Sequence, residues 1–176
     1  MHQRLGQRLD GSYLPLDAAR GLDPARPWHP HIEARGGSLV VDHHGAETVI
    51  YRYVLLKCGV VLFGPPPQEL LDPVTADELR AAVREAVADW WVPRVDEQPC
   101  DFADARYRAY MVVTMCRIRY TLARGDVVSK PEAARWAIAH LEPGRHSLIE
   151  QAAAYGDCGY DETLAFVRET LALASC

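Results

Sequence analysis

The spacing of apolar residues changes character near residue 73. Residues 1–42 show little helical periodicity and many breakers: Gly6, Gly11, Pro15, Gly21, Pro24, Pro27, Pro30, Gly36 and Gly37. Two short pieces, Arg8 to Leu14 and Ser38 to Val41, read as strands. A few short strands bury little and are marginal in water on their own, so this segment looks incomplete as an independent fold. From Ala46 to Cys58 the pattern turns helical, with Val49, Ile50, Tyr53, Val54 and Leu56 on one broad face and Gly59 as the stop. Val60 to Phe63 then reads as extended chain running into Gly64-Pro65-Pro66-Pro67. Consecutive prolines give no N–H and hold φ near −65°, so the run predicts a stiff connector.

Four or five helices with short joints follow. Thr75-Ala76-Asp77-Glu78 is a capping box, and behind it Leu79, Val83, Ala86, Val87 and Trp90 form one stripe. A loop is expected to hold Pro93, Asp96, Glu97, Pro99, Asp101 and Asp104. Tyr107, Met111, Thr114 or Met115, Ile118 and Leu122 mark the next helix, which ends at Gly125. Ser129-Lys130-Pro131-Glu132 is a second capping box, opening a helix through Trp136 to Leu141. Pro143-Gly144 breaks it, a helix through Leu148, Ile149, Ala152 and Tyr155 ends at Gly156, and Leu164, Val167, Leu171 and Ala174 space out a last one. The expected fold is mostly α: an antiparallel helical bundle over 73–176, preceded by a small α+β segment over 1–72.

Composition narrows the function class. Hydrophobic residues at 49% and charged residues at 24% are those of a globular protein. Nineteen Lys and Arg against 24 Asp and Glu leave a net charge of −5 and no basic stripe, which argues against a nucleic-acid binder. The longest apolar run, Val60 to Phe63, falls far short of the roughly 20 residues that span a bilayer. Polar residues near Met1 interrupt any signal sequence, so the expectation is a soluble, cytoplasmic protein without membrane partners. Five cysteines at wide spacing, without a C-x-x-C pair, form neither a disulfide framework nor a zinc knuckle.

Among candidate chemistry, Lys130 stands out. A cation in the first helical turn opposes the positive end of the helix dipole, and that cost becomes a gain when an anion binds there. The alternative is that Val127 to Glu132 only starts a helix. Arg117, half a helix earlier, either packs its stem and reaches water or points its planar fork at the same anion. Arg117 and Arg119, two apart, cannot share a helix face. His29-x-His31 and Asp42-His43-His44 lack helical metal-ligand spacing, and a solvated turn is expected for them. Asp96, Glu97, Asp101 and Asp104 form an acidic loop that is either simply hydrated or able to hold a polyamine-like ligand. Asp10, alternating with apolar neighbours, reads as a strand carboxylate. Trp90, Trp91 and Trp136 fit core positions.

A longer string carries a family resemblance. Gly64-Pro65-Pro66-Pro67-x-Glu69-Leu70-Leu71-Asp72-Pro73-Val74, Leu79-Arg80, Met115-Cys116-Arg117, Gly125-x-Val127-Val128-Ser129-Lys130-x-x-Ala133-Ala134-x-Trp136-Ala137 and Leu148-Ile149-x-x-Ala152 occur in fixed order. The string resembles the C-terminal helical domain of the streptomycin/spectinomycin 3''-adenylyltransferases, which are aminoglycoside nucleotidyltransferases. The likeness is good over 45–156 and loose over 8–44. It implies transfer of AMP from ATP, with Mg2+, to a hydroxyl of an aminoglycoside or aminocyclitol antibiotic. It also implies that Arg117 and Lys130 contact the triphosphate, that Tyr155 lies at the nucleotide and that Asp10 is the general base, where the resistance enzymes carry Glu. Asp101 and Asp104 fall in the loop where the family keeps its drug-binding carboxylates, although that loop differs in length.

The chain departs from the family pattern before Asp10. Only nine residues precede it in this sequence, and the family's Gly-Ser motif and metal-binding Asp-x-Asp pair have no counterpart among them. The resemblance therefore implies a truncated nucleotidyltransferase segment over 1–72, with metal ligands outside this chain and little catalysis by it alone. Three readings stand side by side: an adenylyltransferase-like protein whose sequence begins late; a stand-alone form that binds nucleotide or a cationic ligand, or that gains the missing sheet from a protein partner or dimer; and a helical scaffold.

Overall fold

The computed structural model describes residues 11–20, 28–32, 38–43, 47–97 and 100–175. They belong to two compact units, Met1–Val74 and Thr75–Cys176.

The first unit holds β1 (Gly11–Ser12), β2 (Trp28–Ile32) and β3 (Leu39–His43), an antiparallel sheet in chain order with Gly11 opposite Ile32 and Trp28 opposite His43. Strand β2 corrects the expectation of a solvated turn: His29 is buried in it, and His31 Nδ1 lies 3.0 Å from Ser12 Oγ. The breakers Pro27 and Pro30 hid this strand in the sequence. Pro30 is tolerated in a central strand for a local reason. Its carbonyl accepts from Tyr13 N–H on the β1 side, so its missing N–H faces the flank where β1, two residues long, has already ended.

Among the described residues this unit also holds the helices α1 (Leu16–Arg20), α2 (Glu47–Cys58) and α3 (Pro67–Leu70). Arg52, buried on α2, donates to the Arg20 carbonyl at 3.0 Å. Residues 60–63 form no strand, and all four side chains are exposed. The expected proline connector is shorter than predicted, because Pro67 opens α3, where a missing N–H costs nothing.

The second unit is a helical bundle: α4 (Ala76–Ala86), α5 (Val92–Glu97), α6 (Ala105–Arg124), α7 (Lys130–His140), α8 (His146–Ala153) and α9 (Tyr160–Ala174). Both predicted capping boxes form; Thr75 and Ser129 each accept from the N–H three residues on, and Glu78 and Glu132 reach back. Helix α6 is central and packs against α4, α7, α8 and α9. It is buried on more than the predicted stripe, since Val112, Val113, Cys116 and Thr121 join Met111, Met115 and Ile118 in the core. Gly125 ends it at φ 65, where a Cβ would meet Ala76 Cβ at 2.6 Å and the Arg80 guanidinium at 2.9 Å. Arg108 closes the other end of the bundle, donating to the carbonyls of Phe102, Ala103 and Cys158 and to Asp157.

Two expectations between α4 and α6 are corrected. The segment holding Pro93 is helix rather than loop: α4 runs through a wide π turn, Val87–Trp91, into α5. In that turn the Val92 N–H bonds five residues back to the Val87 carbonyl. The wide turn directly precedes Pro93, whose ring would crowd the carbonyl four residues earlier in a regular helix. The same widening moves the apolar face by one residue. Trp91 is 7% exposed and in the core, whereas Trp90 is 51% exposed.

Candidate functional site

The candidate site is a pair of cations where α6 passes the start of α7. Tyr110 and Arg117 are seven positions apart on α6 and so share a face, roughly 10 Å apart along the axis. Lys130, the first residue of α7, lays its ammonium over the Tyr110 ring, 4.1 Å from the centroid. Burial, and then the charge of Arg117, push the Lys130 ammonium below its ordinary pKa. The two cations are thus electrostatic neighbours.

Their lack of counter-charge separates them from the other half-buried arginines of this unit. Arg80, Arg94, Arg108, Arg119 and Arg145 are half-buried, and each meets a carboxylate: Asp77, Asp101, Asp157 and, for the last two, Glu169. Arg117 and Lys130 are equally half-buried and meet no carboxylate among the described residues. Glu132, the acid nearest to Lys130 in sequence, has its Oε2 on the N–H and hydroxyl of Ser129 at 3.0 and 2.6 Å. Two half-buried cations without a carboxylate between them make this pair the candidate place for an anion.

The helix start itself contributes less than expected. An N-terminal turn offers free amides to an anion, but here Ser129 Oγ takes the Glu132 N–H and Pro131 has none. The site rests on its side chains.

Beside it runs an aromatic ladder that the sequence reading missed. Arg94 lies 4.9 Å from the Trp90 ring and 5.8 Å from the Tyr107 ring, donates to the Tyr107 hydroxyl and pairs with Asp101 at 3.2 Å. Tyr107 contacts Phe102 and Tyr110, each at 5.7 Å, and Tyr110 stacks on Trp91 at 6.4 Å. The i, i+3 spacing of Tyr107 and Tyr110 was a usable signal for a shared face. Which cation would meet which ring was not readable.

The other residues singled out by the sequence lie as follows. Asp104 caps α6, accepting from the N–H groups of Arg106 and Tyr107, and those bonds, Tyr107 first, lower its pKa. Asp101 is the partner of Arg94. Tyr155 is 73% exposed and follows α8 rather than lying within it. It sits at φ 56, in the left-handed position where glycine usually ends a helix. The bonds from Gly156 N–H to the Gln151 carbonyl and from Tyr155 N–H to Ala152 complete a Schellman turn. Asp10 lies outside the described residues. Among the described residues no three His, Cys, Asp or Glu side chains come together as metal ligands. No helix among them is long and apolar enough to cross a membrane.

The fold agrees with the comparisons to known proteins. Residues 69–172 match the family model for the C-terminal domain of aminoglycoside adenylyltransferases, and the chain belongs to that family. Similar relatives are the aminoglycoside (3'')(9) adenylyltransferases of Rhizobium radiobacter and Klebsiella pneumoniae. The first is 36% identical over 99 residues, 55% of this chain and 34% of the relative. The second is 31% identical over 107 residues, 61% of this chain and 37% of the relative. The Escherichia coli enzyme of that name is 33% identical over 94 residues, 53% of this chain and 33% of its own. The chain spans about a third of the length of these relatives.

Proposed function

We propose that this chain provides the triphosphate-holding helical part of an enzyme that moves AMP from ATP to a hydroxyl of a streptomycin- or spectinomycin-type antibiotic. The observation that carries the reading is the half-buried pair Arg117 and Lys130, without a carboxylate among the described residues. A triphosphate supplies the negative charge that both lack. The Arg117 fork suits two phosphate oxygens, and the compact Lys130 head suits a third. In the transfer, the antibiotic hydroxyl attacks the α-phosphorus, the bond to the β-phosphate oxygen breaks and pyrophosphate leaves. Cations at the departing phosphates stabilise the charge that develops there. Asp10 is assigned as acceptor of the hydroxyl proton and Tyr155 as a nucleotide contact. Asp101 and Asp104 are assigned to the cationic antibiotic, with Asp101 exchanging Arg94 for an ammonium of the drug. The names of the relatives support the acceptor class. Magnesium bound with ATP would neutralise part of the charge on the phosphates.

Calorimetric titration of the chain with magnesium-ATP and with streptomycin tests this reading. Removing a charged hydrogen-bonding partner costs about 1.5–3 kcal/mol, so Lys130→Ala and Arg117→Ala are each expected to weaken ATP binding by roughly 10- to 150-fold. The expected melting temperatures stay near that of the parent. Absence of ATP binding at millimolar concentration, or equal losses of melting temperature with unchanged affinity, would sink it.

A further inference from the structure

We propose that Tyr110 is a positioning residue of the polyanion site, its ring face holding the Lys130 ammonium beside Arg117 before the ligand arrives. The inference rests on the polyphosphate reading of the Arg117–Lys130 pair and adds the means by which that pair is kept ready.

A lysine head on a four-carbon stem, next to a second cation, swings into water unless something holds it. A carboxylate would hold it but would cancel the charge that the ligand needs, and would itself repel phosphate. An aromatic face avoids both effects, because its quadrupole attracts a cation while the ring carries no net charge. The other half-buried arginines of this unit are held by carboxylates, as Arg119 and Arg145 are by Glu169. Lys130 instead has the Tyr110 ring at 4.1 Å, nearer than the 4.9 Å between Arg94 and Trp90 or between Arg119 and Phe166.

The ring is itself fixed. Tyr110 lies near the start of α6, with the Tyr107 ring at 5.7 Å and the Trp91 ring at 6.4 Å. It remains 40% exposed. This geometry uses the ring and not the hydroxyl, which separates a positioning role from a hydrogen-bonding one.

The test is titration of the full chain with inorganic tripolyphosphate in four proteins: the parent, Tyr110→Phe, Tyr110→Leu and Lys130→Ala, with the Tyr110→Leu/Lys130→Ala double variant closing the cycle. Tyr110→Leu is expected to weaken binding about five- to tenfold, the span of a partly desolvated cation–ring contact. Tyr110→Phe should bind like the parent, and Tyr110→Leu should cost nothing more once Lys130 is gone. Equal weakening by Leu in both backgrounds, or by Phe and Leu alike, overturns the role of Tyr110. Dependence on Lys130 without dependence on Tyr110 overturns this inference and leaves the polyphosphate reading intact. Indifference to Lys130 overturns both. If Tyr110→Leu does not fold, the nuclear magnetic resonance of the Lys130 ε-methylene in the unliganded parent and in Tyr110→Phe decides. An upfield ring-current shift in both is expected, and an ordinary lysine position refutes the contact.

Discussion

Arg117 and Arg119 stand two positions apart on α6 and meet opposite surroundings. Arg119 donates to Thr170 Oγ1 at 2.7 Å, lies 3.6 Å from Glu169 and covers the Phe166 ring. The Arg117 side chain has no hydrogen bond or ion pair with any described residue, and its charge helps to lower the Lys130 pKa. One helix thus uses one arginine to join α9 and leaves the other with charge to offer. Alanine at each position should separate the two roles. Arg119→Ala is expected to cost about 1.5–3 kcal/mol of stability, the value of charged hydrogen bonds, and to leave tripolyphosphate affinity unchanged. Arg117→Ala should do the reverse. Chemical denaturation and calorimetry of both variants check this, and equal stability losses would refute the division.

Lys130 has a pH signature with a definite sign. Burial and the Arg117 charge lower its pKa in the folded chain, so the folded state binds fewer protons than the unfolded one on the alkaline side. The slope of unfolding free energy with pH from this group is therefore positive between the folded value and the ordinary lysine value. Its ammonium costs stability below that interval, and the cost fades as pH rises through it. Lys130→Met should melt at or above the parent temperature near pH 7 and lose the positive alkaline slope. A clear drop in melting temperature at pH 7 would contradict the assignment.

Tyr155 occupies a backbone position better suited to glycine. A side chain in the left-handed region costs roughly 1–2 kcal/mol, and Tyr155 at φ 56 is 73% exposed. Tyr155→Gly is expected to stabilise the fold by about 1 kcal/mol. It should also weaken ATP binding if the ring contacts the nucleotide as proposed. Thermal melts paired with ATP titration are the check, and higher stability with full affinity would remove Tyr155 from the site.

Gly125 is expected to tolerate no side chain. Its φ of 65 already disfavours a Cβ, and that atom would lie 2.6 Å from Ala76 Cβ, between α6 and the start of α4. Gly125→Ala should cost more than about 1–2 kcal/mol, lowering the urea midpoint with little change in slope. A neutral result would show that α4 can move away from α6 at no cost.

Much of this fold was legible locally. Both capping boxes, the glycine end of α6, the Pro143-Gly144 break and the apolar spacing of α9 are set by residues within a turn of one another. The family was legible as well, because a fixed string of such local signals is itself specific.

Tertiary structure decided what depends on a partner from elsewhere in the chain. Strand β2 exists in spite of Pro27 and Pro30 because β3 pairs along its whole length. Trp91 rather than Trp90 reaches the core because the helix widens before Pro93. Asp101 and Asp104 read alike as acids of one loop, yet one meets Arg94 and the other the start of α6. Arg117 and Arg119 read alike as helix cations, and only the packing of α9 against α6 neutralises the second. Backbone preference acts over a few residues and is written in sequence order. The charge balance of a half-buried side chain depends on which distant group folds against it, and no local pattern encodes that.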